Sequence, residues 1–215
     1  METLTFRSTD GVQLEGELRE PDGEPQGSAV VCHPHPLQGG SKDHPLLWAI
    51  RNELASRGFA VLSFNFRGVM GSGGEHEGGE GEVRDARAAV DRVREAAPGP
   101  TFMAGWSFGA HVALREAIED DRVGALALVG MPLAESSAAL PDLPERAVLA
   151  RFGRPVLLVS GEADQFSPVP ELRSLARRIP GSEVAVLPGT DHFFWKRERE
   201  VGRLIGEFAE RSLGS

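Results

Sequence analysis

Apolar and polar positions along the 215-residue chain follow two periods that alternate with each other. Residues 3–8 and 12–19 change character at every second position, which predicts two strands joined by the turn Thr9-Asp10-Gly11. Further along, short and nearly continuous apolar runs are typical of strands that are buried on both faces. These runs cover residues 28–33, 59–66, 101–106, 123–129, 155–161 and 182–189.

Segments with helical periodicity separate the apolar runs. They cover residues 43–57, 81–97, 108–120, 169–179 and 193–213. Strands that alternate with helices predict an α/β fold, in which helices cover both faces of a mostly parallel sheet. The opening hairpin and the later runs together predict a sheet of about eight strands, with the hairpin as an antiparallel edge.

Two segments between the predicted elements have the composition of loops. Residues 67–82 are rich in glycine and acid, which predicts a mobile and solvated loop. Residues 131–153 have room for a short helix but not for a lid domain. Because the chain shows neither an internal repeat nor a linker, we expect one domain that covers residues 1–215.

Composition and charge disfavour several classes of function. The net charge of −9 disfavours binding to nucleic acid or to an anionic membrane surface, since both are negatively charged themselves. Cys32 is the single cysteine, so no internal disulfide can form and a reducing compartment is favoured. The first residues lack the pattern of a signal peptide, and the longest apolar run, residues 123–134, is too short to span a bilayer. We therefore expect a cytoplasmic protein.

Three polar residues with complementary chemistry follow three different predicted strands. Ser107, Asp164 and His192 each come at or shortly after the end of an apolar run. In open α/β sheets, ligands bind beyond the carboxyl ends of the strands. The sequence therefore predicts that a serine, a carboxylate and a histidine meet at one edge of the sheet.

Ser107 lies between Gly105 and Gly109 in a G-x-S-x-G pattern, and the chain order of the three residues is Ser, Asp, His. Both features match the nucleophile elbow of α/β-hydrolases, a sharp strand-to-helix turn that exposes the serine Oγ. Glycine is needed on either side because a Cβ there would collide with nearby backbone. A serine at this position also excludes a cysteine or aspartate nucleophile.

The pattern assigns a role to each of the three residues. Ser107 is the predicted nucleophile, His192 the base that takes and returns its proton, and Asp164 the acid that orients the imidazole. Glu162 and Asp191 are rival acids. Asp191 is adjacent to His192 in the chain, so we expect its side chain to point elsewhere.

An oxyanion hole requires two hydrogen-bond donors. The N–H of Phe108, at the start of a predicted helix, is the first. The second is expected in residues 33–40, where the two prolines have no N–H to offer. His35 is the preferred donor and Leu37 is the alternative.

Other candidate residues have structural interpretations. A metal site built from the histidines lacks the spacing of a zinc motif, so no metal is predicted. Arg67 is expected to be structural, either in an ion pair or pinning its loop, and not catalytic, and Cys32 is expected to be buried on a strand. Five aromatic residues flank the predicted site in sequence; most are expected in the core, and one or two in an acyl pocket. The histidines are His33, His35, His44 and His76, and the aromatic residues are Trp106, Phe108, Phe193, Phe194 and Trp195.

Five segments in this order resemble the small, lidless α/β-hydrolases of bacteria, which are similar to dienelactone-hydrolase-like and acyl-peptidase-like domains. The segments are HPHPLQGG, FNFRGVMGSGGEHEGG, AGWSFGA, SGEADQFSP and GTDHFF. The resemblance implies a hydrolase of esters, thioesters or amides that needs no cofactor, with Ser107, Asp164 and His192 as its triad.

The residues and the resemblance together predict a serine hydrolase, in the first place a carboxylesterase. Without a lid domain the site is expected to be open, which favours esters with small or medium acyl groups. A thioesterase or an acyl-peptide hydrolase is the alternative, because the same triad serves all three reactions. A catalytically silent binding protein with this fold is the non-enzymatic alternative. The predicted partner is a small ester-type molecule, and the sequence does not indicate an oligomeric state.

Overall fold

The computed structural model describes residues 2–134 and 140–214, and the strands in this part of the chain form one eight-stranded sheet. The strands are β1 (Glu2–Arg7), β2 (Gln13–Arg19), β3 (Gly27–Cys32), β4 (Phe59–Phe64), β5 (Thr101–Trp106), β6 (Val123–Val129), β7 (Val156–Gly161) and β8 (Glu183–Leu187). Their order across the sheet is β1-β2-β4-β3-β5-β6-β7-β8. Pairing is antiparallel for β1 with β2 and for β2 with β4, and parallel elsewhere. The predicted antiparallel edge is confirmed.

Helices cover both faces of this sheet. They are α1 (Pro45–Ser56), α2 (Glu80–Ala96), α3 (Phe108–Glu119), α4 (Arg146–Leu149), α5 (Val169–Ala176) and α6 (Glu198–Leu213). The side chains of α1 and α6 form a hydrophobic core on one face, and those of α2, α3 and α5 form a second core on the other. The central strands β3, β4 and β5 are buried along their whole length, because both of their faces are covered. Within the described residues, no helix has the length and apolarity required to cross a membrane.

The last helix begins later than the sequence pattern predicts. We expected a helix over residues 193–213, but α6 begins at Glu198. Phe194 and Lys196 have φ angles of 54° and 65°, in the left-handed region that no right-handed helix contains. Helical periodicity in the sequence does not reveal such a turn, because Phe194 is buried just as a helical residue would be.

The glycine-rich segment 67–82 is less solvated than predicted. Arg67 is fully buried, and its guanidinium donates to the Asp85 carboxylate at 2.8 Å and to the Asp10 carboxylate at 2.8 Å. Glu77 pairs with the same guanidinium. The prediction of a solvated loop is therefore wrong at this end of the segment, since it ignored acids that come from distant parts of the chain. Of the two structural roles expected for Arg67, the ion pair is confirmed.

We expect Arg67→Met to destabilise the protein by about 3–5 kcal/mol, because it leaves the fully buried Asp85 carboxylate without its cation. Urea unfolding measures the loss. Arg84→Gln is the matched control, since Arg84 also pairs with Asp10 and Glu77 but is exposed to solvent. It should cost less than about 1 kcal/mol. Equal losses for the two variants would contradict a special role for the buried pair.

The connection between β6 and β7 is irregular, as predicted. Its described part contains one helix, the four-residue α4, and its residues 135–139 lie outside the described part of the chain. Pro132 and Leu140, on either side of that gap, line the cavity described below. A helix of this size is far smaller than a lid domain.

Candidate active site

Ser107 occupies a sharp turn between β5 and α3. It follows directly on the last residue of β5, and α3 begins at Phe108. Its φ of 57° and ψ of −120° are costly for a residue with a Cβ. The Ser107 N–H donates to the Val129 carbonyl of the neighbouring strand at 2.9 Å, which holds the turn against β6. The predicted strand-to-helix turn is thus present.

The two glycines of the G-x-S-x-G pattern permit close backbone packing. A Cβ on Gly105 would lie 2.2 Å from the Gly109 carbonyl oxygen. A Cβ on Gly109 would lie 2.5 Å from the carbonyl oxygen of Cys32, at the end of β3. Real Cβ atoms do not approach backbone so closely, so any larger residue would force the turn and β3 apart.

Ser107, His192 and Asp164 meet at the carboxyl edge of the sheet. The Ser107 Oγ lies 3.1 Å from His192 Nε2. His192 Nδ1 lies 2.9 Å and 3.1 Å from the two carboxylate oxygens of Asp164. All three residues are buried, and only a small part of Ser107 and His192 contacts solvent. The arrangement places the imidazole proton on Nδ1 beside the carboxylate, which leaves Nε2 free to accept the serine hydroxyl.

Asp164, rather than either rival acid, contacts the imidazole. Its Oδ1 also accepts hydrogen bonds from the backbone N–H groups of Phe166 and Ser167, at 2.9 Å and 3.0 Å. The Glu162 carboxylate instead accepts the Gly189 N–H. Asp191 turns back on its own backbone and accepts the Phe193 N–H, as its position next to His192 led us to expect.

Gly130 is a site residue that the sequence analysis missed. It follows β6, has a φ of 50°, and packs against the pair of His192 and Asp164. A Cβ at this position would lie 3.2 Å from His192 Nδ1 and 3.3 Å from Asp164 Oδ2. A glycine that ends an apolar run was the available clue, but only the fold shows which side chains it faces.

The segment that follows β3 turns back over the start of α3. Residues Pro36–Gln38 form a single 3-10 turn, and the N–H of Gly40 closes it by donating to the His35 carbonyl. The Leu37 N–H donates to the Nδ1 atom of His35 at 3.2 Å. The ring of His35 packs 5.1 Å from the ring of Phe108. The Leu37 N–H is therefore engaged by the His35 side chain.

His33, His44 and His76 each have a structural hydrogen-bond partner. The Nε2 atom of His33 accepts the Phe66 N–H, and burial lowers the pKa of His33 to about 4. His44 caps α1 by accepting the Leu46 N–H. The Nδ1 atom of His76 lies 2.7 Å from the buried Glu82 carboxylate. Among the described residues, no group of three or more potential ligands gathers around a point where a metal could bind.

A cavity of about 290 Å³ opens beside Ser107. Of the five aromatic residues that flank the site in sequence, Trp106, Phe193 and Trp195 line this cavity. Phe108 and Phe194 are fully buried in the two cores. Trp106 is also buried in a core, so the expectation that most of the five are core residues is confirmed. Three of them line the cavity, however, where one or two were expected.

Comparison with known proteins agrees with this architecture. Residues 29–209 match the model of a family described as an alpha/beta hydrolase domain. An α/β serine hydrolase homologue from Coxiella burnetii is 29% identical, with a TM-score of 0.84 over 96% of both chains. An α/β serine hydrolase without a lid, from Xanthomonas campestris, is 26% identical, with a TM-score of 0.82 over 100% of this chain and 95% of its own.

An uncharacterized protein of Rickettsia prowazekii is 26% identical over 216 residues, which cover 97% of this chain and 88% of that protein. The matches extend over nearly the whole chain, and they include the sheet edge at which Ser107, Asp164 and His192 meet. The resemblance predicted from the sequence is confirmed. The chain belongs to the alpha/beta hydrolase domain family.

Proposed function

We propose that this protein is a serine hydrolase that cleaves carboxylic esters through an acyl-enzyme. The observation that carries the proposal is the His192 ring, which bridges the Ser107 Oγ at 3.1 Å and the Asp164 carboxylate at 2.9 Å. A nucleophile, a base within hydrogen-bond reach and an acid that orients the base are the parts that acyl transfer needs.

In the first half of the reaction, the Ser107 Oγ attacks the ester carbonyl carbon while its proton passes to His192 Nε2. Asp164 stabilises the imidazolium that forms, since its carboxylate already accepts the Nδ1 proton. The carbonyl oxygen becomes an oxyanion, which the N–H groups of Phe108 and His35 stabilise. The carbon–oxygen bond of the ester then breaks, and His192 gives its proton to the leaving alcohol.

In the second half, a water molecule takes the place of the alcohol. His192 removes a proton from this water as the water oxygen attacks the acyl carbon. The bond between the acyl carbon and Ser107 Oγ then breaks, and His192 returns the proton to Oγ. The products are a carboxylic acid and the regenerated serine. No step requires a cofactor.

The preferred esters carry small or medium acyl groups, because the cavity of about 290 Å³ is too small for a long lipid chain. The same groups also support thioesterase or acyl-peptide hydrolase activity, and substrate profiling separates the three reactions. We propose that the reaction takes place in the cytoplasm. A chain with a single, buried cysteine cannot form an internal disulfide, and such chains are typical of reducing compartments.

Labelling with a fluorophosphonate probe followed by peptide mapping tests the proposal. We expect an adduct on Ser107 in the wild-type protein, because only an activated serine attacks the probe at a useful rate. Ser107→Ala and urea-unfolded wild type are the controls, and neither should be labelled at this peptide. Folded wild-type protein that takes up no probe would contradict the proposal and favour a binding protein with this fold.

A further inference from the structure

Two aromatic rings at the mouth of the cavity have no role in the hydrophobic core or in the proposed chemistry. Trp195 is 58% exposed and Phe193 is 45% exposed, yet both line the cavity beside Ser107. Large aromatic side chains that remain exposed at the rim of a pocket are typical of binding sites.

The backbone around Trp195 is held in a costly conformation. Its two neighbours, Phe194 and Lys196, are both non-glycine residues in the left-handed region. This conformation turns Phe194 into the core and Trp195 towards solvent at the cavity. Strain of this kind persists where surrounding structure enforces it, and it is concentrated at functional sites.

A row of rings leads from Trp195 to the proposed base. The Trp195 ring lies 5.8 Å from the ring of His44, and His44 lies 4.3 Å from Trp106. Trp106 in turn lies 6.0 Å from His192. The His44 ring is fixed by the hydrogen bond that its Nδ1 accepts from Leu46, and burial lowers its pKa, so it is an uncharged aromatic surface at neutral pH.

Electrostatics favour an uncharged group in this cavity. None of the described residues that line it is an aspartate, glutamate, lysine or arginine. An ionised group bound there would lose water without gaining a counter-ion. The net charge of −9 also repels polyanionic esters and thioesters.

We propose that the cavity recognises an uncharged aromatic ring carried a few bonds from the scissile carbonyl, with Trp195 as the residue that stacks on it. This inference rests on the proposed function and adds a substrate class to it. The volume is adequate, because a cavity of about 150 Å³ already holds benzene and this one measures about 290 Å³.

Two series of esters test the proposal. In the first, the alcohol is methanol and the acyl group is 3-phenylpropanoyl, hexanoyl or 3-(4-carboxyphenyl)propanoyl. In the second, the acyl group is acetyl and the alcohol is 2-phenylethanol or hexanol. We expect the uncharged aromatic member to have the highest kcat/KM in at least one series, by roughly three- to tenfold over the aliphatic member.

Variants of Trp195 separate aromatic stacking from general hydrophobic contact. Trp195→Leu should remove the aromatic preference, mainly through KM, and Trp195→Phe should retain it. Trp48→Ala is the matched control, because Trp48 is 55% exposed but does not line the cavity. It should leave the preference unchanged. Aliphatic esters that match aromatic ones in both series, or equal effects of Trp195→Leu and Trp48→Ala, would overturn the proposal.

Failure of the proposed function gives a different result. In that case no ester in either series is cleaved above the rate of Ser107→Ala. Binding of 3-phenylpropanamide to the wild type and to Trp195→Leu, measured by calorimetry, then tests the aromatic site by itself. Weaker binding to Trp195→Leu supports the site, and equal binding overturns it.

Discussion

Ser107→Ala is expected to lower kcat for ester hydrolysis at least about a thousandfold, which corresponds to about 4 kcal/mol of lost transition-state stabilisation. The Oγ removed is the atom that lies 3.1 Å from His192 Nε2, and an alanine methyl group cannot form the acyl-enzyme. The fold should persist, because the side chain of Ser107 forms no helix cap. Steady-state kinetics and circular dichroism measure the two effects.

Ser41→Ala is the matched control for this variant. It makes the same chemical change at a residue next to Gly40, which lines the cavity. In the described structure the Ser41 hydroxyl accepts one hydrogen bond, from the Asp43 N–H. Its kcat should stay close to that of the wild type. If Ser107→Ala retained most of its activity in a preparation free of contaminating esterases, the nucleophile would have to be another residue.

Asp164→Asn is expected to lower kcat by about 10⁴-fold, as the same change does in other triads. The backbone N–H groups of Phe166 and Ser167 donate to Oδ1, so the asparagine carbonyl will take that position. Its NH₂ group then faces His192 Nδ1, which must become the acceptor. The imidazole proton moves to Nε2, and Nε2 can no longer take the proton of Ser107.

Asp191→Asn and Glu162→Gln are the controls for the acid. Both side chains are exposed and hydrogen-bond to backbone away from the imidazole. Comparison of kcat for the three variants should place Asp164→Asn far below the other two. A larger loss of kcat in either control variant would identify that residue, instead of Asp164, as the acid that orients His192.

The pattern of apolar and polar positions was enough to predict an α/β fold with a mostly parallel sheet and an antiparallel edge. Buried strands need continuous apolar runs and helices need a periodic face, so the strands of the described residues could be placed to within a few positions. The same pattern located Ser107, Asp164 and His192, because it showed which residues follow each strand. The G-x-S-x-G spacing predicted the sharp turn at Ser107, since only a glycine at position 109 can approach β3 so closely.

The remaining features depend on contacts between residues that are distant in the chain. The choice of Asp164 over Glu162 and Asp191 followed from loop conformations that direct each carboxylate to a different backbone N–H. The contact of Gly130 with the histidine and the acid arises because β6 lies between β5 and β7 in the sheet.

Burial of Arg67 and exposure of Trp195 also depended on tertiary structure. The acids that neutralise Arg67 lie in the turn of the opening hairpin, in the glycine-rich segment and in α2. No local sequence pattern connects these positions. Trp195 looked like part of a helix in the sequence, and two left-handed residues around it placed its ring at the cavity instead. Local periodicity reports which residues are apolar, whereas the packing of the whole chain decides which of them form the core and which line the site.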